Sequence, residues 1–149
     1  MTDALDPFQQ VLQAYAAAVL AKDVEAFVAL YDDDVHVFDM WSDWSLRGIE
    51  PWRAMASDWF ASLGDERVVV EIDRAQSVGG GDVVFGHAFL RYTAFAASGE
   101  RLRSLDNRIS VGMVRRDGRW KIAHEHTSAP IDHAGAKAIL QRGNTGSTI

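Results

Sequence analysis

The chain has 149 residues, 48% of them hydrophobic, a formal net charge of −6 and no cysteine. That length supports one domain with a real core rather than two, and the acidic balance, without any Lys/Arg run, lacks the positive footprint that holds a phosphate backbone, so no nucleic-acid partner is expected. Disulfides, a thiol nucleophile and thiolate zinc sites are excluded. The acidic start M-T-D-A-L-D-P and the shortness of the longest apolar stretch, around Val11 to Ala21, predict a soluble, cytoplasmic protein with no membrane partner.

Asp6-Pro7 predicts a helix start: Asp6 can cap free backbone donors, Pro7 takes the first helical position and Gln9 has capping-box spacing. The helix should run to about Ala21, burying Phe8, Val11, Leu12, Tyr15 and Val19. Asp23 then caps a second helix with a stripe of Val24, Phe27, Val28 and Tyr31, which the acidic run Asp32 to Asp34 helps to stop by opposing its dipole. A short strand, Val35 to Phe38, and a tryptophan-rich loop follow. Pro51 opens a third helix carrying Trp52, Met55, Ala56, Trp59, Phe60 and Leu63 on one side.

The second half changes period. Residues 67–78, 83–95, 101–115 and 120–128 read as four long strands, separated by turn signals at G-G-G-D, A-S-G-E and R-D-G-R. Helices followed by an antiparallel meander predict an α+β domain with the helices on one sheet face. We expect one domain over residues 1–140 and a polar tail, Q-R-G-N-T-G-S-T-I, over 141–149.

Side chains alternate across a strand, so Val83, Phe85, His87, Phe89, Arg91, Thr93 and Phe95 share one face. In the next strand Asp106, Arg108 and Ser110 lie opposite Leu105, Ile109, Val111 and Met113. A three-residue turn at Arg116-Asp117-Gly118 would bring Arg108 opposite His126 and Ser110 opposite His124; a two-residue Asp-Gly turn would place Ile109 and Val111 there instead. The first gathers Asp106, Arg108, Ser110, His124 and His126 on one pocket face and leaves the apolar face for a subunit interface. An H-x-H pair supplies two metal ligands, with Asp106 or His87 as a third, but Arg108 beside them would repel a cation, and no metal is expected. The histidines otherwise line a pocket or bond to their neighbours at the surface. Glu125 and Lys121 alternate away from them, toward solvent or an interface. Trp41, Trp44, Trp52 and Trp59 suggest an aromatic pocket wall and lid for a flat or apolar ligand, the alternative for the helix pair being core packing.

V-L-Q-A-Y-A-A-A-V-L-A-K-D-V-E-A-F-V-A-L-Y-D-D-D-V-H-V-F-D and R-R-D-G-R-W-K-I-A-H-E-H-T-S-A-P resemble the nuclear-transport-factor-2-like superfamily, specifically its SnoaL-like and ketosteroid isomerase-like members. The resemblance implies a cystatin-like roll: a cone-shaped, curved antiparallel sheet wrapped around three N-terminal helices, with a pocket at its wide end and a homodimer through the outer sheet face. Position by position, Tyr15 resembles the tyrosine that donates a hydrogen bond to the steroid carbonyl, Asp39 in H-V-F-D the general base, and Asp106 in S-L-D-N the acid that shares the oxyanion hole. One aspartate ionised to take a proton, with another kept neutral in an apolar site so that it can donate, is the known arrangement of ketosteroid isomerases. Arg91 in F-L-R-Y-T also resembles the deep-pocket arginine of the calcium/calmodulin-dependent protein kinase II association domain, a non-catalytic oligomerising relative.

The resemblance therefore implies a cofactor-independent isomerase or cyclase acting beside a carbonyl, with Asp39, Tyr15 and Asp106 catalytic. Trp41, Trp44, Trp59, His87, Arg91, Arg108, His124 and His126 would bind a small apolar or aromatic ligand bearing a carbonyl or anionic group. The alternatives are a non-catalytic ligand-binding or oligomerisation module and a metal enzyme.

Overall fold

The computed structural model describes residues 5–143. Asp6 accepts from the backbone N–H of Gln9 at 2.8 Å and Pro7 sits in the first turn, so helix α1, Pro7–Ala21, begins where a side-chain cap and a fixed φ favour it. All five residues of its expected stripe are buried. Asp23 caps α2, Val24–Val28, by accepting from the Ala26 N–H.

The acidic run does not stop this helix. Strand β1 spans Tyr31–Phe38 and contains Asp32 to Asp34. The Ile122 N–H donates to Leu30 O at 2.9 Å and Tyr31 pairs with Ile122, so sheet pairing takes over before a further helical turn can form. A two-residue strand β2, Leu46–Arg47, leads into α3, Ile49–Leu63, with Pro51 in its first turn. Strands β3 (Arg67–Gly80), β4 (Val83–Phe95), β5 (Arg101–Arg116) and β6 (Arg119–Ser128) follow.

The strands form one curved, unclosed sheet in the order β2-β1-β6-β5-β4-β3. It is antiparallel throughout except where β1 runs parallel to β6, so the sheet is mixed rather than purely antiparallel. Between Asp73 and Gln76 the β3–β4 register slips and Arg74 adopts a left-handed φ of 55°, a bulge of the kind that bends a strand around a core.

The three helices cover the concave face. Phe27 of α2 lies at the centre, with the rings of Tyr15, Tyr31, Trp52 and Phe60 at centroid distances of 5.4–5.9 Å. Such tilted and edge-on contacts suit aromatic quadrupoles and hold α1, β1 and α3 against one another. Gly86 of β4 permits the closest approach, because a Cβ there would stand 2.4 Å from the ring of Phe8.

Two features of the β5–β6 hairpin decide which side chains point inward. The connection is the two-residue turn Asp117-Gly118, both left-handed (φ 51° and 77°), with Arg116 paired to Arg119. Between Gly112–His124 and Met113–Ile122 the register then shifts, adding one residue to β6. Inward side chains therefore change from even numbers (Ile122) to odd numbers (Glu125, Thr127) along β6. The expected grouping of Asp106, Arg108, Ser110, His124 and His126 on one side of the sheet is found, but Ser110 pairs with His126 and Arg108 with Ser128, and that side is the outer one. The apolar set Ile109, Val111 and Met113, expected at a subunit interface, packs into the core instead.

No helix among the described residues is long and apolar enough to cross a membrane. Gln141 and Arg142, at the start of the expected tail, are tied to the sheet: Gln141 Nε2 donates to Ser104 O at 2.7 Å and the Arg142 guanidinium to Asp73 at 2.7 Å. The rest of that tail from residue 144, and residues 1–4 of the acidic N-terminus, lie outside the described residues.

Candidate functional site: a cavity with two carboxyls

A cavity of about 490 Å³ lies between the inner sheet face and the helices. Trp52, Met55, Trp59 and Leu63 wall it from α3, Tyr15 from α1, and the segment Asp39-Met40-Trp41 from the end of β1; Tyr92, Asn107, Glu125 and Thr127 reach it from β4, β5 and β6. Its size and mostly apolar lining with a few convergent polar groups are those of a small-molecule site.

Asp39, one residue past β1, is fixed rather than free. The Thr127 hydroxyl donates to its Oδ1 at 3.1 Å, the Trp41 N–H reaches its Oδ2 at 3.4 Å, and the Met40 N–H donates to the Thr127 oxygen at 2.9 Å. Burial raises its pKa, and the bonds from Thr127 and Trp41, with the nearby Met40 N–H, oppose that rise without cancelling it. A carboxylate in this position is a stronger base than one in water.

The hydroxyls of Tyr15 and Tyr92 lie 2.9 Å apart. One donates to the other, which leaves the acceptor's own proton free to point at a ligand oxygen. Burial is the main reason both have raised pKa values, so both stay neutral donors.

Glu125, only 2% exposed, accepts from the Tyr31 hydroxyl at 2.7 Å. Burial pushes its pKa up to about 7; the Tyr31 bond opposes this and the charge of Asp39 adds to it. Two further buried polar atoms on cavity residues, Trp52 Nε1 and Asn107 Oδ1, have no hydrogen-bond partner among the described residues. A donor and an acceptor left unpaired against a cavity suit a ligand carrying complementary groups.

Of the site residues expected from sequence, Tyr15, Asp39, Trp41 and Trp59 line the cavity. Seven do not. Trp44 is 97% exposed and forms no lid. Asp106 lies on the outer face, paired with Arg91 of the neighbouring strand at 2.8 Å and accepting from the Arg142 N–H at 2.7 Å, and the Arg91 bond above all holds its carboxyl below the usual range. The neutral amide of Asn107, one residue on, faces the cavity in its place. Arg108 donates to Ser128 Oγ at 3.0 Å. His124 Nδ1 bonds His36 O at 2.7 Å, His126 lies beside Phe38 and His87 beside Phe85, all outward by the strand alternation described above. Among the described residues no group of three or more His, Asp or Glu is placed to hold a metal ion.

Glu125, Tyr92, Asn107 and Thr127 are cavity residues that sequence reasoning misses. An uninterrupted β6 alternates Glu125 away from the inner face, and the extra residue before His124 reverses that. The apolar run Ile109, Val111 and Met113 is the available signal, since its neighbours across the sheet, Thr127, Glu125 and Ile122, share its face.

Comparison with solved structures gives the fold class first. An NTF2-like protein of unknown function from Pseudomonas putida KT2440 superposes with a TM-score of 0.78 at 25% identity, over 90% of this chain and 92% of its own. A protein with a cystatin-like fold from Caulobacter vibrioides gives 0.67 at 17% identity, over 83% and 87%. A provisionally assigned dehydratase of the NTF2-like family from Streptomyces avermitilis gives 0.72 at 14% identity, over 85% and 96%. The SnoaL-like domain family matches residues 9–132, and the chain belongs to that family. No curated protein matches the sequence.

Proposed function

We propose that the cavity binds a small, largely apolar carbonyl compound and moves a proton at the carbon beside its carbonyl, as an isomerase or cyclase does, without a cofactor. The observation that carries this reading is a fixed carboxylate of raised pKa, Asp39, opening on the same apolar cavity as the Tyr15–Tyr92 hydroxyl pair. Asp39 takes the proton; the tyrosine pair donates a hydrogen bond to the oxygen on which charge develops. Asn107 Oδ1 and Trp52 Nε1 accept from and donate to the ligand's remaining polar groups.

A second copy of the chain would cover the outer face of the sheet, where Phe38 and Phe85 stand partly exposed among His36, His87, His124 and His126. The non-catalytic reading keeps the cavity and removes the chemistry. β-Tetralone, an apolar bicyclic ketone with acidic protons beside its carbonyl, separates the two. The protein should quench its own tryptophan fluorescence on binding β-tetralone and exchange those protons with deuterated solvent faster than buffer alone, read by proton NMR. Binding without exchange would leave the ligand-binding module, and neither would remove both.

A further inference from the structure

We propose that Glu125 is a second acid–base group of this cavity, giving a proton from its free oxygen Oε2 to the ligand's carbonyl oxygen as Asp39 takes one from the adjacent carbon. The inference rests on the reading of Asp39 above and adds a group that transfers its proton to the oxygen, where the tyrosine pair holds only a hydrogen bond.

The tyrosine pair can hold a hydrogen bond to the oxygen, but with pKa values raised above the ordinary 10 neither hydroxyl releases its proton readily. Glu125 can. It lines the cavity, and among the described residues the Tyr31 hydroxyl is its side chain's single hydrogen-bond partner, at Oε1. Donation into one carboxyl oxygen fixes the group and places the acid proton on the other.

Among the described residues no cation pairs with it. The groups that act on it or feel it are Tyr31 of β1, Tyr15 of α1, Tyr92 of β4 and Asp39. The three tyrosines stay neutral, so the two carboxyls are the members that titrate. A buried carboxyl without a counter-charge keeps its proton, and the pKa of about 7 agrees with the geometry.

The spacing also fits. Thr127, which holds Asp39, and Glu125 are alternate residues on one face of β6, about 6.6 Å apart along the strand. Glu125 therefore stands one strand repeat from the residue that holds Asp39, on the same cavity face, and both carboxyls line the one cavity.

In the step itself the C–H bond breaks to Asp39, and its electron pair becomes the carbon–carbon double bond. The carbonyl π pair moves to oxygen, which forms an O–H bond with the Glu125 proton. Asp39 ends protonated, Glu125 ionised and the ligand a neutral enol. Return of both protons, with carbon reprotonated at a different position where the ligand is unsaturated, restores the enzyme and completes an isomerisation.

Infrared difference spectra between the protein and its Glu125→Gln variant isolate the carbonyl stretch of this one carboxyl. At mildly acidic pH the band of the protonated group should be present, and it should disappear with a midpoint near 7. Saturating β-tetralone should shift it to lower frequency, including in an Asp39→Asn background where the proposed abstraction is removed. An ionised Glu125 at mildly acidic pH, or a band that β-tetralone leaves in place, would overturn the inference. Should Glu125→Gln fail to fold, Tyr31→Phe serves instead: loss of the Tyr31 donor should move the midpoint upward, and an unmoved midpoint counts against the arrangement. A shifted band without exchange would sink the Asp39 reading alone, and exchange with an unshifted band would sink this one alone.

Discussion

Asp39→Asn is expected to slow the exchange of β-tetralone by about 10²–10⁴-fold, the usual contribution of a positioned general base, while tryptophan quenching still reports a filled cavity. The substitution keeps shape and leaves an oxygen to accept the Thr127 hydroxyl bond, so the mouth of the cavity should hold its form. What it removes is basicity. Asp39 is poised by opposing effects, burial raising its pKa and the hydrogen bonds donated by Thr127 and Trp41 restraining the rise, which makes its carboxylate a stronger base than one in water. An Asp39→Asn variant that exchanges at the wild-type rate would move the base elsewhere in the cavity. Loss of binding and exchange together would show that Asp39 acts in shaping the cavity.

Glu125 should leave a second mark, on stability. Folded, it keeps its proton until about pH 7; unfolded, it loses it near its ordinary value of 4.5. Between those values the folded state binds more protons than the unfolded state, so raising the pH destabilises the protein. The stability linked to this proton is fully present below pH 4.5 and lost as pH rises through about 7, with a total of about 3 kcal/mol. Asp39, whose pKa is also raised, adds in the same direction. Urea denaturation across this range should show wild-type stability falling more steeply than that of Glu125→Gln, with the variant gaining on the wild type as pH increases. Parallel profiles would mean that Glu125 ionises alike in the folded and unfolded chain, against the raised pKa that its burial gives it.

Local chemistry carries most of the fold. Asp6-Pro7 and Asp23 announce their helices through side-chain caps, and β4 occurs over the range expected from residue type and spacing, because these signals act within a few residues. Tyr31 marks where that ends. It fits the stripe of α2 by spacing, and only the pairing with Ile122, 91 residues away, assigns it to a strand. Its role in the site follows from that switch, since as a strand residue it faces Glu125.

The site is less legible for one physical reason: facing along a strand is a parity, and a single inserted residue inverts it. Tyr15 sits on a helix whose buried stripe is fixed by many residues, so its burial follows from spacing, while its place in the cavity is what the family resemblance implies. Asp106 and Asn107, Glu125 and His126 are adjacent pairs on long strands where one residue decides inside from outside. The apolar partners are the better guide. Leu105, Asn107, Ile109, Val111 and Met113 share the inner face, and a carboxyl opposite Val111 must be inside with them. His87, His124 and His126 draw attention as chemically versatile side chains, yet the carboxyl between two of them is the one the core encloses.

The pH dependence of β-tetralone exchange tests most directly whether one cavity holds two carboxyls in different protonation states, one ready to accept a proton and the other to give one. A bell is expected, its rising limb following ionisation of Asp39 and its falling limb following loss of the Glu125 proton near pH 7. A rate that climbs steadily through neutral pH without turning over would contradict it.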